Sequence, residues 1–319
     1  MNNLIEFNQD IFSVIKEYLS NEEFNNLINT NKEIKNECKG LRYIKLNRKY
    51  SLKYYYNENF RNKILLLIEK TNEQLSLNLS NIKEIDYDEN YEYEYHNDRI
   101  DFEDKEYIEN IKNVFSLDLS NTGISDVSIF SNVKILNLSN CVNVSNVSSL
   151  ANVKALNLSN CINVIDVSAL TNVFRLDLSN CINIRNVNDL YFCTELNLSN
   201  CINVTDVREL GFVDFLNLSN TGIFDISNMY INRMYMLDLS DTNISDVSPL
   251  FNVNELNLSN CINITDVSAL SGVHTLNLSN CINITDVSAL GGVHTLNISG
   301  CKDFDYFGPF NNIVNLIRD

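Results

Sequence analysis

The sequence predicts an α/β solenoid: a right-handed superhelix with parallel strands on its concave face, short 3₁₀ or extended segments on its convex face, and a small helical domain in front. Three observations predict it. The phrase Leu77-Asn78-Leu79-Ser80-Asn81 returns with its first leucine at 117, 136, 156, 176, 196, 216, 237, 256, 276 and 296, an interval of 20 with exceptions of 19 and 21. Around it stands a longer frame of apolar positions, complete in Val273, Leu276, Leu278, Cys281, Ile284, Val287 and Leu290. Before residue 76 the phrase is absent and the apolar spacing is helical.

The chain divides accordingly into a helical domain over 1–50, a connecting helix over 51–75 and a repeat domain over 76–319 of about a dozen turns. Residues 1–45 read as three short helices. Asp10 precedes Ile11, Val14, Ile15, Tyr18 and Leu19 at helical spacing. Ser20 and Glu23 form a capping box for a second helix carrying Phe24, Leu27 and Ile28. Thr30 or Asn31 caps a third, with Ile34, Cys38 and Leu41. In the connecting segment Phe60, Ile64, Leu67 and Ile68 form one apolar face.

Within one turn, Leu276 and Leu278 alternate with polar residues and point inward from a strand. Cys281 turns inward at the following corner. Asp286, like Asp126, Asp166, Asp206, Asp246 and Asp266, is placed to accept backbone N–H groups at a tight turn. Twenty residues leave too little chain for a full helix on the far side, so 3₁₀ turns or extended chain are expected there. A lone turn has only one packed neighbour face to bury, so the turns must stack. Between 77 and 117 lie two periods, and Ile100-Asp101-Phe102 is expected to hold a degenerate strand. Leu316 marks a closing turn, plugged by Phe304, Tyr306, Phe307 and Phe310. Thr122, Thr221 and Thr242 replace the cysteine and drop one residue, giving tighter corners.

This frame resembles the leucine-rich repeat. Cys281-x-x-Ile284-Thr285-Asp286 is similar to the cysteine-containing class, often found behind an F-box, and Asp246-Val247-Ser248-Pro249-Leu250 is similar to the internalin and phosphatase-regulator class. The order Phe7-Asn8-Gln9-Asp10-Ile11-Phe12 through Tyr18-Leu19-Ser20, then Phe24, Leu27 and Ile34, resembles an F-box, with Phe7-Asn8 where Leu-Pro is usual and no tryptophan. That resemblance implies docking on a Skp-type linker of a cullin ubiquitin ligase through Asp10, Ile11, Ile15, Leu19 and Phe24. A plain helical cap over the open end of the solenoid is the other reading. The Asn- and Ile-rich wording is similar to proteins of large DNA viruses of protists.

Charge and cysteine usage narrow the function classes. A net charge of −17 argues against nucleic acid and anionic membrane as partners. No window approaches the ~20 apolar residues of a membrane span, and the start of the sequence lacks the pattern of a signal peptide. Of nine cysteines, seven hold one repeat position, which reads as a small buried residue in a reducing compartment. No C-x-x-C pair of a metal site is present. Sequons such as Asn257-Leu-Ser259 would carry glycans onto stacked strands if secreted. A cytoplasmic or nuclear location is expected, without cofactor or metal.

No motif of an active site is found, and every candidate Asp or Cys is repeated, so a binding module and not an enzyme is expected. Its partner is expected to be a protein on the concave face. The column before the first strand leucine varies most, and Arg175, Glu195, Phe215, Met236 and Glu255 are its candidate contacts, with Phe215 and Met236 as apolar anchors. Nearby, 228–235 breaks the repeat wording. The middle column, Asn137 to Asn297, is Asn or Asp throughout and is read as stacked amides bonded along the axis. His274 and His294 share a column at one period, a product of duplication or a metal pair. The segment 84–109 holds twelve acidic residues against Arg99 and Lys105, a solvated loop or an acidic patch for a basic partner. The two functional readings are a ligase substrate adaptor and a phosphatase-regulator-like scaffold without a ligase.

Overall fold

The computed structural model describes residues 43–71, 74–81, 83–84, 99–100, 108–231, 234–302 and 313–318. The three-helix and F-box readings of 1–42, most of the acidic segment and the aromatic plug at 304–310 lie outside these residues. Two compact units divide the chain: Met1–Ile124 with Ile129–Cys141, and Ser125–Ser128 with Val142–Asp319.

In the first unit a strand, β1 (Tyr43–Leu46), leads into helices α1 (Arg48–Tyr56) and α2 (Glu58–Thr71) and then β2 (Gln74–Asn78). β1 and β2 are parallel, with Ile44 beside Leu75 and Leu46 beside Leu77. Among the described residues the stack begins at 43, inside the stretch read as helical, because Ile44 and Leu46 offer the same period-2 inward face as a repeat strand. The connecting segment is two helices. Asn47 caps the first by accepting from the Tyr50 N–H at 3.2 Å, and the Asn57 side chain accepts from the Phe60 N–H at 2.8 Å. Tyr54 and Tyr55 are buried under α1, with Phe60 and Ile64 buried on α2. Burial pushes the Tyr54 hydroxyl up to about 12, against a smaller lowering by Arg61. Ser51 fastens helix to sheet: its hydroxyl donates to the Leu46 carbonyl and accepts from the Asn78 N–H.

The expected degenerate strand near Ile100 does not join this stack. Strands β3 (Lys83–Glu84) and β4 (Arg99–Ile100) pair with each other in a separate small sheet. β2 lies directly against β5 (Ser116–Asp118), Leu77 beside Leu117, and β6 (Ile135–Asn137) follows with Leu136 beside Leu117. The L-x-L faces of β2, β5 and β6 stack on one another.

The second unit carries β7 (Ala155–Asn157), β8 (Arg175–Asp177), β9 (Glu195–Asn197), β10 (Phe215–Asn217), β11 (Met236–Asp238), β12 (Glu255–Asn257), β13 (Thr275–Asn277), β14 (Thr295–Asn297) and β15 (Asn315–Ile317). Each lies beside the next in sequence order, in parallel and without slippage, as in Leu256 beside Leu276 beside Leu296. The closing strand at Leu316 is present. Short 3₁₀ segments such as Ser168–Leu170 and Ser288–Gly292 run on the far side, as expected. The seven inward residues of the 273–290 frame are all buried.

Two polar devices shape each turn. The Asp or Asn ahead of each 3₁₀ segment accepts from the N–H two residues on, Ser168 to Asp166 and Ser288 to Asp286 at 2.9 and 2.8 Å. The last asparagine of the phrase is left-handed, with φ of 61° at Asn160, 62° at Asn200 and 62° at Asn280. Asparagine tolerates that region better than most side chains, and glycine tolerates it best. Gly300 takes over the position in its turn with φ of 68°.

Candidate protein-binding face

The second unit presents one sheet face to solvent, and its side chains come from the outward positions of each strand. Arg175, Glu195, Phe215, Met236 and Glu255 are the first residues of β8 to β12. Registry sets Arg175 beside Glu195, Glu195 beside Phe215, Phe215 beside Met236 and Met236 beside Glu255. All five sequence candidates thus form one continuous row. The Arg175 Nε donates to the Glu195 Oε1 at 3.2 Å; both side chains are exposed, so the pair orients more than it stabilises.

The centre of the row is aromatic. Phe215 and Met236 are exposed, and the Phe215 ring lies 5.1 Å from that of Tyr235, the last residue of the irregular 228–235 stretch, which the chosen column leaves out. Tyr235 donates its phenolic hydrogen to Glu255, and this bond, with the carboxylate charge, raises the pKa of the hydroxyl. Toward lower residue numbers, the Lys154 ammonium sits 4.9 Å from the centre of the exposed Phe174 ring. The signal for Tyr235 and Phe174 was present: both stand directly before the chosen column.

The middle column does not bond along the axis as expected. Asn157, Asn197, Asn257 and Asn277 each accept from a backbone N–H two residues on, at 2.8 to 3.1 Å. These side chains are occupied in closing their own turns. One cross-turn bond exists in the column, from Asn257 Nδ2 to Asp238 Oδ2 at 3.0 Å. Cross-turn amide bonding is found in two other columns: Asn163, Asn183, Asn203 and Asn283 donate to a carbonyl of the preceding turn at 2.6 to 2.8 Å, and Asn220 and Asn280 donate to the Oδ1 of Asn200 and Asn260 at 2.7 and 3.0 Å.

His274 and His294 stack face to face, with ring centres 4.6 Å apart and planes 18° apart. Among the described residues no group of three metal-ligating side chains comes together. Nor is any described helix long and apolar enough to cross a membrane. The cysteines at 141, 161, 181, 201, 261 and 281 are buried; burial pushes the Cys201 and Cys281 thiols up to about 12, far from a reactive thiolate. The docking candidates Asp10, Ile11, Ile15, Leu19 and Phe24 fall outside the described residues.

Stacked parallel strands, one short 3₁₀ segment per turn and a leucine–cysteine core decide the architecture. The fold is that of a leucine-rich repeat protein. Solved structures similar to it include an internalin, InlF of Listeria monocytogenes, at 20% identity over 66% of this chain and 82% of that one, with a TM-score of 0.42. The functional domain of InlJ from Listeria monocytogenes, described as including a cysteine ladder, is 15% identical over 64% and 62%, with a TM-score of 0.33. A leucine-rich repeat protein of Leptospira interrogans is 15% identical over 82% and 84%, with a TM-score of 0.34. No protein-family model matches the chain, and no curated protein matches it.

Proposed function

We propose that this protein is a non-catalytic protein-binding module whose strand face, centred on Phe215, Tyr235 and Met236, holds a protein partner. The observation that carries the reading is that aromatic cluster. An aromatic pair and a methionine stand exposed beside the Asn and Asp row of the strands, and such anchors concentrate binding energy at interfaces. The Arg175–Glu195 pair and Glu255 supply a polar rim around them. Used as bait in the same cell extract, the chain and its Phe215→Ser/Met236→Ser variant separate the outcomes. A protein held by the first and lost from the second supports the reading; identical capture removes it.

In its fuller form the proposal is an F-box-type substrate adaptor of a cullin ubiquitin ligase, with the repeats selecting the target. Its support is the sequence of 7–34, with Asp10, Ile11, Ile15, Leu19 and Phe24 as the contacts to a Skp-type linker. Buried thiols in the repeat column fit the reducing compartment this role needs. The second reading is a scaffold or regulator without a ligase. Binding of the whole chain to a purified Skp-type protein, abolished by Ile11→Asp/Ile15→Asp, favours the adaptor. No binding by the folded chain leaves the scaffold.

A further inference from the structure

We propose that the flank where residues 188–255 enter their strands is a second docking surface, and that its occupant is a basic, amphipathic helical segment of a protein. The inference rests on the reading of the chain as a protein-binding module and adds the chemistry of a partner. Four consecutive turns carry it. Phe192, Phe212, Tyr230 and Phe251 stand between the far side of their turn and its strand, and they are 61%, 57%, 70% and 55% exposed. Neighbouring turns of the same unit fill this place with Ala151-Asn152, Thr171-Asn172, Ser271-Gly272 and Gly291-Gly292. The repeat therefore does not need an aromatic there. Nor does the core use these rings: Cys193, Val213, Ile231 and Val253 beside them already fill the buried positions.

Two of the rings meet across neighbouring turns, and a third stands against a further aromatic. Phe212 lies 6.3 Å from Tyr230, ring centre to ring centre, and Phe192 lies 4.4 Å from Tyr191. Clustered exposed aromatics on a soluble surface mark an interaction site. Adjacent turns are ~4.8 Å apart, close to the ~5.4 Å pitch of an α-helix. A helix laid along the stack thus advances its apolar stripe nearly in step with the aromatic rows.

Charge selects among occupants. Glu209 and Asp214 are exposed and Asp189 half-buried, and each stands within three residues of an aromatic of the patch. Two guanidiniums of this region are already engaged: Arg208 grips Asp206 through three contacts of 2.7 to 3.1 Å, and Arg175 holds Glu195. Residues 155–301 contain fourteen Asp and Glu against four Arg and no Lys. A second copy would bring the same negative rim against this one, and an anionic lipid surface or nucleic acid would be repelled likewise. A cationic segment with apolar anchors matches both features.

The test is a fluorescence-anisotropy titration of the whole chain with a helix-length amphipathic Leu/Lys peptide, its Leu/Glu twin, and a Leu/Lys peptide of scrambled order. The Leu/Lys peptide is expected to bind, more weakly as salt rises, and the other two to bind at least about tenfold more weakly. Phe212→Ser/Tyr230→Ser is expected to lose about tenfold or more, with an unchanged thermal melt, whereas Ile162→Ser/Ile182→Ser, on another exposed apolar row, keeps full affinity. Equal binding of the acidic twin or the scrambled peptide, or full affinity in Phe212→Ser/Tyr230→Ser, overturns the proposal. Loss in Phe215→Ser/Met236→Ser but not in the flank variant also overturns it, by moving the peptide to the strand face. Failure of the strand-face reading shows separately, as identical extract capture by Phe215→Ser/Met236→Ser.

Discussion

The thiol of Cys281 donates to the carbonyl of Leu258, one turn earlier, across 3.1 Å. Cys181, Cys201 and Cys261 make the same bond to Leu158, Leu178 and Leu239 at the same distance. The cysteine column is therefore more than a small apolar filler: sulfur is the right size for the corner and still supplies a donor. Cys281→Ala removes both the bond and a buried atom, so a loss of about 1–2 kcal/mol is expected in a urea melt. An unchanged midpoint would show that the sulfur only fills space.

Thiol reactivity should follow burial along the column. The Cys281 thiol is pushed up to about 12, whereas Cys301 is half-buried and its rise is smaller. Alkylation of the native protein near pH 8, followed by peptide mass spectrometry, is expected to modify Cys301 well before Cys281. Equal rates would contradict the burial seen here.

Acid should loosen the turns through their aspartates. The Ser288 hydroxyl and then its N–H hold the Asp286 carboxyl below the usual carboxylate range; at Asp266 the Ser268 N–H leads. A folded-state pKa below the unfolded value gives stability that is complete above about pH 4 and is lost as pH falls through the folded value. Asn146 and Asn186 make the same backbone bond without a charge. Asp286→Asn is thus expected to keep the melting temperature at pH 7 and flatten its fall in acid, whereas Asp286→Ala lowers it at pH 7. Melts across pH 3–7 separate the two.

The left-handed position at the end of the phrase makes a sharp prediction. Asn160 has φ of 61°, so Asn160→Ala is expected to cost about 1–2 kcal/mol. Asn160→Gly should be close to neutral, as the natural glycine at 300 implies. Equal losses in both variants, measured by denaturant melts, would place the role of Asn160 in its side chain instead.

Gly211 permits the irregular turn. A methyl group at Gly211 would lie 2.0 Å from the Tyr230 carbonyl oxygen. Gly211→Ala is expected to cost about 1–3 kcal/mol and to displace the Tyr230 backbone, visible as faster amide exchange confined to 211 and 226–231.

Legibility differed by the range of the interaction. Leu276, Leu278, Cys281 and Asp286 took their expected places, because period-2 alternation and local side-chain-to-backbone bonds are written in consecutive residues. The row from Arg175 to Glu255 was equally legible, since a solenoid sets equivalent positions side by side. Tyr43–Leu46 was missed because it lacks the Ser-Asn ending of the phrase, although its inward face is a repeat face. The direction of the Asn157 bond was misjudged: its own backbone offers a nearer donor than the next amide in the stack. Phe192 and Phe251 escaped notice because they sit outside the phrase, where only exposure shows what they are.

The corner bonds made by the cysteine and asparagine columns have a direction. Cys281 reaches back to Leu258, Asn283 to Ile262 and Asn163 to Val142, so the later turn brings the donor and the earlier turn already holds the acceptor. A chain leaving the ribosome from its N-terminus would meet this order naturally. Each new turn finds the acceptors for these corner donors already in place, while strand-face N–H groups such as those of Leu278 and Asn280 are met by the turn that follows, so the corner columns suit vectorial, zipper-like assembly during synthesis.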